Sequence, residues 1–326
     1  MTLRSVWRRY WQVEGFMAVL AVCGLGALVL RQPNELGDAK RLSREHTVLI
    51  RDDSDREVLV PVPVKRIAVN YTAFAELLEA IGAGETICGA PTRSAKRWHA
   101  AGIGSHLRLE PEAVAACRPE VLLLFDRGER WQSWVRDQVL LRRIPALCFS
   151  PRTVRDVMNL IAAMGTLTGS EKAKGVLKQL RRELWAIEEK RHTLDNRAPR
   201  VFVEVRSPPG YLTIGANSLV CDLIQIAGGR PLYFGDSRVA RVSLEQVLEL
   251  NPDLYIQQEG VMNRQPIDLR RHPVLHNLRA VRNDAVLRLP EALLSRPGPN
   301  VVTGISRIQS SMLQHLPKQA GGIDRR

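Results

Sequence analysis

Between Thr153 and His192 the chain reads as two helices, the second long and free of proline. From Ser170 onward, apolar side chains fall at Ala173, Val176, Leu177, Leu180, Leu184 and Ile187, the three-and-four spacing that lines one helical face. Lys172, Lys174, Lys178, Arg181, Arg182, Glu188 and Glu189 take the remaining positions, so a single stripe is buried. Ser170 is placed to cap the start with Glu171 in the first turn, and Asp195, Asn196 and Pro199 close the far end. Only Gly175 weakens the run. A helix of about twenty residues spans roughly 30 Å, the width of a small domain, and on each side lies a comparable stretch of alternating strand and helix patterns. Two readings are open: a rigid strut between two α/β lobes, or a surface helix within one domain.

Length favours two lobes, since 326 residues leave room for two ordinary domains with ample core. Apolar residues make up 45% of the chain, which argues against disorder. The net charge of +13 suits an anionic membrane, an acidic ligand or nucleic acid. Its basic residues are scattered through both halves, however, and no zinc-finger, helix-turn-helix or aromatic-plus-basic motif accompanies them, so no nucleic-acid partner is expected. Cys23, Cys88, Cys117, Cys148 and Cys221 are widely spaced without a CxxC pair, and Cys88 and Cys148 sit in apolar runs as small hydrophobes. Neither a disulfide framework nor a metal site is indicated.

The first 33 residues predict an export signal or membrane anchor. Arg4, Arg8 and Arg9 precede an apolar run from Phe16 to Leu30, with Trp7, Tyr10 and Trp11 beside them as an interfacial belt. The run is shorter than the roughly twenty residues of a comfortable spanning helix. No A-x-A cleavage pattern follows, and Leu20-Ala-Val-Cys23 approaches a lipobox with Val22 where a small residue belongs. We expect export, with retention by an uncleaved anchor at the outer face of the cytoplasmic membrane or release to the periplasm.

Residues 34–150 predict an N-terminal α/β lobe. Thr47–Ile50 and Glu57–Val60 flank an Asp-rich turn in a hairpin pattern, and Arg66–Val69 is a buried strand leading through Asn70-Tyr71-Thr72 into a helix with Phe74, Leu77, Leu78 and Ile81. Gly82 and Gly84 follow that helix rather than a strand, so they stop it and do not form a dinucleotide fingerprint. Thr86–Gly89 is a second strand, Glu110-Pro-Glu112 opens a helix, and Val121–Phe125 and Pro145–Phe149 read as strands covered on both faces. Residues 151–198 hold the connecting helices, and 199–326 repeat the alternation as a C-terminal lobe. There Arg200–Val205 and Leu254–Ile256 are strands, and Ser218–Ile226, Ser243–Leu248 and roughly Asn300–Leu316 are helices. The expected architecture is two α/β lobes, each with a mostly parallel sheet flanked by helices, joined by a single long helix, with a ligand cleft between lobes.

Taken in order, Asp52-Asp53 through Ile67, Glu76–Gly89 (ELLEAIGAGETICG), Pro111–Leu124 (PEAVAACRPEVLLL), Val242–Ile256 (VSLEQVLELNPDLYI), His272–Leu289 and Arg296-Pro-Gly-Pro299 form a series. The series resembles the substrate-binding proteins of ABC importers for ferric siderophores, haem and cobalamin, over about Thr47 to Pro317. The resemblance implies capture of a metal chelate or corrinoid between two lobes and delivery to an ABC permease dimer, by a monomer without a cofactor of its own. It also implies that Glu112 and Glu245, one per lobe, dock on permease arginines, a two-point electrostatic register. Both glutamates equally suit the first turn of a helix by their charge alone.

Ligands of open α/β sheets bind at the carboxyl ends of strands. That rule nominates Tyr71, Trp98, Arg127, Trp131, Arg206, Tyr211, Gln258 and Arg296, whose rings and guanidinium groups suit a bulky, partly anionic chelate. Tyr71 is also placed as a possible axial haem ligand. His272 and His276 have the i, i+4 spacing of zinc ligands, but Pro273 opens that turn and no third ligand is evident. No nucleophile elbow, Walker loop or carboxylate cage is present, so the expectation is a binding protein and not an enzyme. The alternative is a membrane-tethered scaffold or interaction protein of the same fold that has lost transport.

Overall fold

The computed structural model describes residues 46–125, 144–191, 194, 198–207 and 210–315. The segments read as the signal or anchor, the tail beyond Pro317, and the helix holding Trp131 and Trp134 lie outside the described residues. The fold divides into two compact units, one of residues up to Ser150 with Ala162–Ala173, the other of Pro151–Ile161 and Lys174 onward.

The first unit begins with an antiparallel hairpin, β1 (His46–Arg51) and β2 (Glu57–Val62). Its turn is built by Asp52, whose buried carboxyl accepts from the backbone N–H groups of Ser54 and Arg56 and from the Arg56 guanidinium at 2.5 Å. The other strands are β3 (Ile67–Val69), β4 (Ile87–Ala90), β5 (Ala101–Gly102), β6 (Val121–Phe125) and β7 (Ala146–Phe149). They form an all-parallel sheet in the order β5-β4-β3-β6-β7. Val121 to Leu124 are fully buried, as a strand covered on both faces requires. Between β3 and β4 runs helix α1 (Thr72–Ala80), and between β5 and β6 the short α2 (Pro111–Ala116), with Pro at its first position.

Helices α3 (Val154–Thr168) and α4 (Lys172–Arg191) follow. The boundary between the units falls inside α3, after Ile161, and again at the head of α4, after Ala173. The body of α4 therefore belongs to the second unit, where Leu180, Leu184 and Ile187 are buried and Gln309 donates to the Ile187 carbonyl at 2.8 Å. Ser170 does not cap α4 with its side chain as its position suggested. Its hydroxyl bonds the Ile81 carbonyl at the end of α1 instead.

In the second unit β8 (Arg200–Arg206), β12 (Leu254–Glu259) and β13 (Val286–Pro290) are parallel, with β8 and β12 side by side. On the other flank of β8, β10 (Arg230–Leu232) pairs its first half in parallel, while β9 (Leu212–Ile214) pairs its second half antiparallel and is edged by β11 (Val239–Arg241). The helices are α5 (Leu219–Ala227), α6 (Leu244–Leu250), α7 (Arg279–Arg282), α8 (Glu291–Leu294) and α9 (Val301–His315). Ser218 caps α5 through Val220 N–H, and the helix stops at Gly228, whose φ of 98° a side chain would oppose. The two-unit α/β architecture read from the alternation is the architecture observed.

Candidate functional site

Glu112 and Glu245 occupy the same position in their respective units. Each is the second residue of a short helix, α2 after Pro111 and α6 after Leu244, and each helix leads into the strand, β6 or β12, that pairs in parallel with the first parallel strand of its unit, β3 or β8. Both side chains are exposed. The sequence dictates this locally: Pro111 has no N–H to leave unpaired at the first position, and Ser243 with Gln246 forms a reciprocal capping box. The Glu245 carboxylate accepts from its own backbone N–H and from the Ser243 hydroxyl, which holds it below the usual carboxylate range. Its negative charge stands in the first turn of a helix and faces solvent.

At the carboxyl ends of the first unit's parallel strands stands an aromatic cluster. Tyr71, directly before α1, packs its ring 4.5 Å from that of Phe125, the last residue of β6, and 5.5 Å from the His106 ring. Phe74 meets Tyr71 edge-on at 5.7 Å and Phe149, the last residue of β7, at 6.3 Å. Phe74 and Phe149 are buried, whereas Tyr71, His106 and Phe125 are partly exposed, so the cluster has a packed base and an open rim. Asn70 holds the frame, accepting the Phe125 N–H at 2.7 Å while its own N–H bonds the Leu123 carbonyl. Trp98 ends the short helical turn Ala95–Trp98, with the Arg97 guanidinium 5.1 Å above its ring and its indole N–H buried without a protein partner.

In the second unit the corresponding strand ends are polar. Arg206 at the end of β8 donates two hydrogen bonds to the Gly210 carbonyl at 3.0 and 3.1 Å, so its guanidinium shapes its own loop. Tyr211 and Gln258 are buried, and the Tyr211 hydroxyl and Gln258 Oε1 have no protein partner. Burial, and then the nearby Glu204, push the Tyr211 phenol up. Arg296 lies half-buried with its Nε 3.4 Å from Glu291 Oε1. Tyr71, Trp98, Tyr211 and Gln258 thus carry aromatic surface or an unsatisfied polar atom, Arg206 holds its own loop, Arg296 lies against the first residue of α8, and Arg127 and Trp131 lie outside the described residues.

His106 and Phe125 escaped the sequence reading. Phe125 was legible only as the last apolar residue of a buried strand, and His106 sits in a loop whose partner, Tyr71, is distant in sequence. The histidine pair is structural: His272 Nδ1 accepts from the N–H groups of Val274 and Leu275, capping the turn at Leu275–Asn277, and the His276 ring bonds the His272 carbonyl. Among the described residues no cluster of His, Cys, Asp and Glu could hold a metal, and no helix is long and apolar enough to cross a membrane.

Comparison with known proteins bears on this arrangement. A curated relative, the uncharacterized ABC transporter substrate-binding lipoprotein YvrC of Bacillus subtilis (strain 168), is 21% identical over 84% of this chain and 88% of its own length. The periplasmic vitamin B12 binding protein BtuF of Vibrio cholerae superposes with a TM-score of 0.65 at 18% identity, over 78% of this chain and 99% of that one. The periplasmic heme-binding protein RhuT from Roseiflexus sp. RS-1 gives 0.62 at 18% identity, over 77% and 98%. Identities this low establish the fold alone. The family model described as periplasmic binding protein, whose members bind solutes and are not enzymes, matches residues 67–293, and the chain belongs to that family.

Proposed function

We propose that the chain is the extracytoplasmic substrate-binding component of an ABC importer, held at the outer face of the membrane by its N-terminal segment, and that it captures an iron chelate, haem or cobalamin. The observation that carries this reading is the equivalence of Glu112 and Glu245, two exposed acids in matching positions of the two units. Two like charges on separate units give a permease dimer a two-point register that orients docking and steers encounter without touching the solute. Tyr71, Trp98, Arg127, Trp131, Arg206, Tyr211, Gln258 and Arg296 are the proposed ligand contacts, with His106 and Phe125 added to them. Partly exposed rings suit flat organic surface, and the orphaned Trp98 N–H, Tyr211 hydroxyl and Gln258 Oε1 are groups a solute can satisfy.

The test is the double charge reversal Glu112→Lys with Glu245→Lys. Uptake of the solute through the importer is expected to be lost while solute affinity is retained. Loss of affinity would mean that these acids support the fold or the binding surface, and retained uptake would mean that they are not the register by which the permease is docked.

A further inference from the structure

The two cysteines that sequence spacing kept apart meet in the first unit. Cys88 lies on β4, Cys117 caps the C-terminus of α2, and their sulfurs stand 3.7 Å apart. Three features build this meeting. Gly89 leaves room for it, since a Cβ there would fall 2.9 Å from the Cys117 sulfur. The Arg66 guanidinium grips the carbonyls of Cys117 and Arg118 at 2.6 and 3.1 Å, fixing the end of α2 against the sheet. The surrounding core of Ala68, Ile103, Val114 and Leu122 holds both side chains in place, with Cys117 buried and Cys88 partly open. The other described cysteines have different surroundings: Cys148 Sγ lies 3.3 Å from an Arg56 nitrogen, and Cys221 Sγ 3.3 Å from the Gly215 carbonyl oxygen.

We propose that Cys88 and Cys117 are a redox-active pair that closes into a disulfide when the protein meets a disulfide oxidant. Closure asks the sulfurs to approach to about 2.05 Å, a shift of side chains whose backbones are already held. Both S–H bonds break and one Sγ–Sγ bond forms. The two electrons and two protons pass to a small-molecule or protein disulfide, which is reduced to two thiols. The Cys88 hydrogen bond and the nearby Arg66 charge favour the thiolate on Cys117, the form that exchanges with disulfides. Closure ties β4 to the end of α2, locking the segment that carries Trp98, His106 and Glu112. That such an oxidant is met in the cell rests on the extracytoplasmic reading above; the chemistry of the pair does not.

The purified full chain is treated with oxidised glutathione, denatured, and alkylated with N-ethylmaleimide before mass analysis. Two fewer alkylated thiols are expected, with one cross-linked peptide containing Cys88 and Cys117. Arg93, Lys96, Arg97 and Arg108 lie between them, so digestion separates the two cysteines unless they are bonded. Reductant should lower the thermal midpoint of the oxidised chain by about 5 °C and leave a Cys88→Ser, Cys117→Ser variant unmoved. Full alkylation at both positions after oxidation, or a bridge to Cys23, Cys148 or Cys221, overturns the proposal. Neither readout involves solute or permease, so this result stands or falls apart from the transport reading.

Discussion

Tyr255 donates its phenol hydrogen to Glu204 Oε2 at 2.7 Å, and neither side chain reaches solvent. Ser207, Gln257 and Asn263 donate to Oε1 at 2.5, 3.3 and 3.0 Å, so four neutral donors surround one acid inside a sheet. Arg288 enters only through Gln257, its Nε 3.2 Å from Gln257 Oε1. A buried acid satisfied in this way is costly to leave short of a donor. Tyr255→Phe is expected to destabilise the protein by about 2 kcal/mol, measured by urea unfolding.

The same pair sets an alkaline limit. Burial, followed by the charge and hydrogen bond of Glu204, raises the Tyr255 phenol well above its ordinary value of 10.0. Tyr211 is raised as well, by burial and then by Glu204. Above pH 10 the unfolded chain releases protons that the folded chain keeps. Stability present below pH 10 therefore falls as pH rises toward the folded values, by up to about 1.4 kcal/mol per pH unit for each tyrosine. Thermal midpoints across pH 9 to 11 should bend downward, and Tyr255→Phe should shallow the bend although it starts lower.

Asp52 joins the hairpin to the sheet. Besides its turn partners, its Oδ2 accepts the Cys148 N–H at 3.0 Å, while Arg56 reaches the Ala146 carbonyl at 3.2 Å. Asp52→Ala strands these donors and is expected to cost about 3 kcal/mol. Limited proteolysis should then cut first between β1 and β2.

Gly175 and Gly304 both sit inside helices and should respond in opposite ways to alanine. A Cβ at Gly175 meets nothing within 4 Å, so Gly175→Ala should gain about 1 kcal/mol from helix propensity. A Cβ at Gly304 would lie 1.9 Å from the Leu293 carbonyl oxygen, so Gly304→Ala must push α9 off α8 and lower the thermal midpoint.

Much of this was legible in sequence because local chemistry and burial agree. VLLLF reads as a covered strand, Glu110-Pro-Glu112 carries its own start signal, and Ser243 marks the start of its helix. The short strands β9 and β11 were not legible, because three-residue antiparallel pairings rest on a neighbour and not on their own pattern. Long-range juxtaposition was equally hidden. Glu204 looked like one more strand residue until Tyr255, Gln257 and Asn263 were brought to it, and Cys88 meets Cys117 only through the path of α2. Ser170 was misread for the same reason, since the Ile81 carbonyl that takes its hydroxyl lies at the end of another helix.

The most direct test of the transport reading is a tryptophan-fluorescence titration of the purified full chain with a ferric hydroxamate, a ferric catecholate, haemin and cobalamin. Saturable quenching by one of these compounds, weakened at least tenfold by Tyr71→Ala, is the predicted result. A well-folded chain that none of the four quenches would contradict it.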